Sequence, residues 1–266
     1  MITELRARDP LLFWTGALMV LTLVVVTLLS ISDQRLVLGI NPWIKPMKFL
    51  VSTAIFLWTI AWFMPETVVD PVRRALVRWT VAGAMVIEIV LICTQAARGT
   101  TSHFNAATPF DLAVFNLMGA AVTVSSIAVI LFLWILRRDT PSPRAGYLWG
   151  VRLGVALFII ATVSPGFLMV ANSGHSFPGP DGGPGLPFVN WSVEIGDLRT
   201  AHFFGMHAMQ ALPLLGFVLD RTVGGSQASE LIPTARNVVI TIGILWFVVT
   251  GALLSIALLG RPLMAL

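Results

Sequence analysis

Residues 11–31 read LLFWTGALMVLTLVVVTLLSI, 21 consecutive positions without a charged side chain. At 1.5 Å per residue such a stretch makes a helix of about 30 Å, the thickness of a bilayer's hydrocarbon core. It follows the basic start MITELRARDP, as the apolar core of a secretory signal does, but the run is too long and lacks a small-residue cleavage site. It therefore reads as a retained spanning helix.

Six further runs of this kind follow, at 47–64, 75–97, 111–136, 146–171, 199–219 and 238–259. Short polar punctuation rich in Pro, Gly, Arg and Asp separates them, except for the long loop 172–198, whose GPDGGPG core is incompatible with regular structure. Composition agrees: 56% of the 266 residues are hydrophobic and 11% charged, where soluble domains carry about a quarter charged. The expectation is an all-α bundle of seven transmembrane helices forming one integral membrane domain over residues 1–266, with no internal repeat.

The net charge of +4 does not indicate nucleic acid, because no Lys/Arg run with interleaved aromatics tracks a phosphate backbone. The lone Cys93 lies in a span and excludes an intrachain disulfide. Eleven of the 17 Lys and Arg residues fall on the side of the N-terminus, Arg73, Arg74, Arg137 and Arg138 among them. By the positive-inside rule the N-terminus is cytoplasmic and the C-terminus outside, in a bacterial-type inner membrane. The other six are Arg35, Lys45, Lys48, Arg98, Arg199 and Arg261. These outer cations call for an anionic group or for buried carboxylates to balance.

All four histidines also fall outward: His103 between the third and fourth spans, His175 in the long loop, His202 and His207 in RTAHFFGMHAMQ at 199–210. Glu88 is placed mid-span in the third segment, with Gln95 and Arg98 on nearly its face and Lys48 or Arg98 as expected partner. Glu88 and His207 each lie about 12–15 Å deep, where they meet if the third and sixth spans are neighbours. On a regular helix His202 and His207 point about 140° apart and do not share one small ion. Local rules add four expectations: a capping box at Thr108, Pro109 and Asp111; Asp197 as N-cap of the sixth span; a break or kink at Pro165; and a kink at Pro213. Small-residue packing faces are expected at Asn116, Gly119, Thr123 and Ser126, and at Gly243, Thr250, Gly251 and Ser255.

Ionisable groups inside a membrane are rare unless used, and two uses fit these residues. A haem b or a transition-metal ion (Zn, Fe or Cu) would take ligands from His103, His202 and His207. Glu88 would then be a catalytic or ligating carboxylate, with Lys48, Arg98 and Arg199 as propionate partners and Met206 joining for copper. A proton-coupled transporter of a small anionic solute would instead use Glu88 and His207. A third reading is a structural subunit of a membrane complex. The partners implied are the lipid bilayer and a membrane redox protein or other subunits, with no nucleic acid.

Overall fold

A computed structural model of the protein describes residues 2–67, 71–136, 144–222 and 228–263. Among these, seven helices are long and apolar enough to cross a membrane: Pro10–Ser32, Ile44–Glu66, Pro71–Arg98, Pro109–Ile135, Ala145–Asn172, Arg199–Thr222 and Thr234–Leu258. The protein has the architecture of an all-α multi-pass membrane protein. Arg137 and Arg138, counted in the charge argument, lie outside the described residues. The chain forms two compact units, Met1–Phe132 with Pro187–Val189, and Leu133–Leu186 with Asn190–Leu266.

The first unit holds helices α1 (Ile2–Arg8), α2 (Pro10–Ser32), α3 (Ile44–Phe63), α4 (Pro71–Arg98) and α5 (Pro109–Ile135) up to Phe132. Asp9 starts α2 by accepting the Leu12 amide at 3.1 Å, ahead of Pro10 in the first turn. Trp58 of α3 ties the two long helices by donating Nε1–H to the Phe13 carbonyl at 3.1 Å. The connection before α3 makes a tight turn in which Val37 and Ile40 exchange backbone hydrogen bonds. Arg35 of that turn donates to the Ala97 carbonyl at the C-terminal end of α4, where a helix dipole favours a cation. The same guanidinium, hydrogen-bonded to Asp33, holds the Asp33 carboxyl well below the usual carboxylate range.

α4 ends in a Schellman turn: Gly99, at φ +71°, donates to Ala96, and Thr100 donates to Gln95. α5 begins with the expected capping box, Thr108 Oγ1 accepting the Asp111 amide at 3.1 Å and donating to Asp111 Oδ2 at 2.6 Å. Its packing face departs from expectation. Val114 and Met118 pack with Ile92 of α4, while Asn116, Gly119 and Thr123 are exposed. Lipid tails are as apolar as the helix interface, so composition alone does not say which stripe turns inward.

The second unit holds α6 (Ala145–Asn172), the two-residue strands β1 (Ser176–Phe177) and β2 (Gly196–Asp197), α7 (Arg199–Met206), α8 (Ala208–Thr222) and α9 (Ala228–Leu258). α6 and α8 meet along Gly146, Gly150 and Gly154, four residues apart on one face of α6. A Cβ on Gly150 would stand 2.4 Å from the Leu212 carbonyl oxygen, and one on Gly154 2.7 Å from that of Ala208. Asp220 of α8 closes the seam by accepting the Gly146 and Tyr147 amides at the start of α6, at 3.0 and 2.7 Å. On α9, Gly243 and Thr250 of the expected face are buried, but Gly251 and Ser255 are exposed.

α6 is continuous through Pro165, which excludes a break there, and the sixth span is interrupted at His207, six residues before Pro213, which lies inside α8. The loop 172–198 is irregular over 179–184, yet Gly185 bridges to Ser192 and the ends of the loop pair as β1 and β2, with Ser176 opposite Asp197.

Candidate functional site

In the first unit the site is built on Glu88, which α4 carries ten residues before its end at Arg98, about 15 Å along the axis. Its side chain is buried at 3% exposure, and neither carboxylate oxygen has a hydrogen-bond partner. The sequence reading expects Lys48 or Arg98 beside it. Arg98 instead binds Asp111 and Gln95, with Gln95 Nε2 also donating to Asp111 at 2.8 Å. The physical reason is position: Arg98 stands at the helix end, where the capping-box carboxylate is the nearer anion. Lys48 donates to the Val189 carbonyl at 3.0 Å.

The group that does reach Glu88 is His103, whose Nε2 lies 3.5 Å from Oε1. It reaches that depth because the segment 99–108 folds back towards the helices. Asn105, itself buried, donates from Nδ2 to Thr100 Oγ1 and the Thr101 carbonyl, both at 3.0 Å, and accepts the Ala107 amide. Ser102, also buried, approaches His103 Nδ1 at 3.1 Å. The imidazole is ringed by Phe49, Phe104 and Phe115, with centroids 5.9, 6.1 and 6.4 Å away. Lys45, placed over the Phe49 ring, is near enough for its charge to act on Glu88. A carboxyl, an imidazole and an ammonium thus share apolar walls, where charges interact more strongly than in water.

In the second unit the sequence-read residues take other roles. Arg199 is held by Asp197, Nε to Oδ1 at 2.9 Å and Nη2 to Oδ2 at 2.6 Å, and it donates to the Asn190 carbonyl as well. Asp197 also accepts the Arg199 and Ser192 amides, but the N-cap of α7 is Leu198, one residue later than expected, and its side chain makes no capping bond.

His202 donates Nδ1–H to the Ala161 carbonyl at 2.7 Å; a carbonyl only accepts, so Nδ1 carries the proton. Gly205 makes that approach possible, since a Cβ there would stand 2.5 Å from the Ala161 Cβ. His207 sits at the junction of α7 and α8, edge-on to Phe203 at 4.3 Å between centroids. At the same break the Phe204 carbonyl accepts Trp246 Nε1–H at 3.0 Å, with the two rings stacked 4.5 Å apart.

His175, in the long loop, is bonded through Nδ1 to Asp181 Oδ2. Asp181 additionally accepts the His175 and Ser176 amides. Burial raises the Asp181 carboxyl, but the His175 hydrogen bond and charge and the two amides outweigh it and hold it well below the carboxylate range. The GPDGGPG pattern, an Asp among glycines, was the available sign that a side chain there organises backbone amides.

Among the described residues no cluster of three or more His, Cys, Asp or Glu side chains is arranged to hold a metal ion. Comparison of the chain with protein-family models, curated proteins and solved structures gives no match.

Proposed function

We propose that this protein is a proton-coupled membrane carrier of a small anionic solute, in which Glu88 and His103 exchange the coupled proton. One observation carries the reading: a carboxylate in a membrane span, with both oxygens lacking hydrogen bonds, faces an imidazole nitrogen 3.5 Å away. That separation exceeds a formed hydrogen bond, and a small rotation of either side chain closes it. Intramembrane carboxylates are costly to keep and are retained chiefly for such traffic.

Lys45 supplies the coupling. Protonation of Glu88 removes the negative charge that balances the nearby ammonium, and an entering anion restores neutrality. In this reading the N-terminus is cytoplasmic and the 99–108 segment opens outward, an orientation that the distribution of basic residues supports.

The test is proton entry into vesicles reconstituted with the full chain, read by a trapped pH dye while inorganic phosphate and small carboxylates are offered in turn. One of these anions is expected to drive proton flux, and Glu88→Gln to abolish it. Equal flux in wild type and Glu88→Gln, or none with any anion, overturns the proposal.

A second reading, a haem b or transition-metal centre, is favoured by an observation in the other unit. His202 is bonded through Nδ1 to a backbone carbonyl, the orientation in which ligating imidazoles are usually held.

A further inference from the structure

We propose that His207, Phe203 and Trp191 bind the head ring of an isoprenoid quinone that enters from the bilayer, its tail lying along the exposed stripe of α8. The site lies wholly in the second unit and stands apart from the Glu88–His103 reading.

His207 follows Arg199, the first residue of the sixth span, by eight positions, about 12 Å along the axis. Its ring is half-buried against Phe203, and the side chain has no hydrogen bond among the described residues. A polar group at such a depth is costly unless something bonds to it.

The side of the span that carries His207 is open. Phe203, four residues before it, is 45% exposed, and Leu214, seven residues after it, is 64% exposed. Offsets of four and seven belong to one helical face. Phe217 and Val218 carry the exposed stripe further along α8. Lipid tails that meet such a face offer the imidazole no hydrogen bond.

Depth and donor chemistry select the ligand. Phospholipids keep their charged atoms at the membrane surface, whereas a quinone is neutral and takes its polar atoms into the hydrocarbon. A neutral imidazole has one N–H donor and one bare nitrogen. The N–H donates to a carbonyl of the quinone, and the bare nitrogen accepts from a hydroxyl of the quinol, so one residue recognises both forms.

The aromatic rings supply a wall. Phe203 meets Trp191 at 5.4 Å and His207 at 4.3 Å between centroids, edge to face in both pairs. Trp191 is fixed from both sides. Its carbonyl accepts the Leu186 amide at 2.8 Å, the Asn190 carbonyl before it accepts Arg199 Nη2, and the Ser192 amide after it donates to Asp197. A flat ligand packs well on such rings, and a wall already in place loses little freedom on binding. Leu214, Phe217 and Val218 then offer the tail an apolar track.

The experiment adds decylubiquinone, a short-tailed quinone, to the full chain in phospholipid nanodiscs. Tryptophan fluorescence follows binding, and NMR of isotope-labelled histidine follows the imidazoles. Saturable quenching is expected at one quinone per chain. The His207 signal, identified by its loss in His207→Leu, should move while those of His103, His175 and His202 stay.

His207→Leu breaks no hydrogen bond among the described residues and should weaken binding by about tenfold. Phe203→Leu should weaken it by about three- to tenfold. Decylbenzene, which has a ring and a tail but no oxygen, should leave the His207 signal in place. Quenching that never saturates would mean partition into the bilayer only. That result, equal affinity in wild type and His207→Leu, or a His207 signal moved by anionic phospholipid and not by the quinone overturns the assignment.

Discussion

His202 donates to the carbonyl of Ala161, and Ala161 stands four residues ahead of Pro165. The two facts belong together. A proline has no amide hydrogen, so the carbonyl one turn before it loses its place in the helical ladder, and this one lies in a residue only 1% exposed. The imidazole supplies the missing donor, and α6 continues through Pro165 without a break.

His202→Ala therefore leaves a buried acceptor unsatisfied and should lower stability by about 1–3 kcal/mol, measured by unfolding in mixed micelles. Pro165→Ala restores a ladder donor to Ala161. In the His202→Ala background it should recover most of the loss, and a double-mutant cycle without coupling between these positions would falsify the pairing.

Glu88 is held at a cost to the fold. Glu88→Leu removes a buried carboxyl whose oxygens lack hydrogen bonds and should raise stability by about 1–3 kcal/mol, while proton-coupled uptake is lost. Thermal unfolding and vesicle flux on the same preparation check both halves. A destabilised Glu88→Leu protein would assign the carboxylate a structural role.

Glycines separate by position. Gly150→Ala drives a methyl to 2.4 Å from the Leu212 carbonyl oxygen and should cost about 1–3 kcal/mol by overpacking. Gly119 has nothing within 4 Å of its Cβ direction, so Gly119→Ala should be neutral or gain up to about 1 kcal/mol from helix propensity. Similar losses at both sites would contradict the packing described for α6 and α8.

Asp181 sets an acid limit on the β1–β2 segment. Its carboxyl is held below the ordinary range, so its contribution to stability is complete above the unfolded value of about 4 and is lost as pH falls through the lower folded value. Melting temperatures followed downward from pH 6 should show wild type losing its advantage over Asp181→Asn only below about pH 4. An advantage that disappears at higher pH would sink this account.

The spans were legible because bilayer thickness imposes length and apolarity on each helix independently of its neighbours. The Thr108–Asp111 cap was legible for a similar reason, since all its partners lie within one turn. His202 was not, because its role is defined by Pro165, 37 positions earlier in the chain, and only folding brings the two helices together. The break at His207 likewise depends on Trp246 and on the close approach at Gly205.

Glu88 was read correctly as a group needing an explanation, but its neighbour was misassigned. Helical periodicity aligned it with Arg98, while the fold-back of 99–108 delivered His103. The repeat GYLWGVRLG at 146–154 was visible as letters. Its meaning lay in the opposing helix, which a one-dimensional pattern does not contain.

Where α6 and α8 touch, peptide planes lie against peptide planes, and such a contact has no rotamers to rearrange. From Gly146 to Gly154 the two helices therefore have little room to slide or to close further. α7 is braced on the same helix, through His202 and Gly205 at Ala161, so the turn at His207 joins two segments that share α6 as their support.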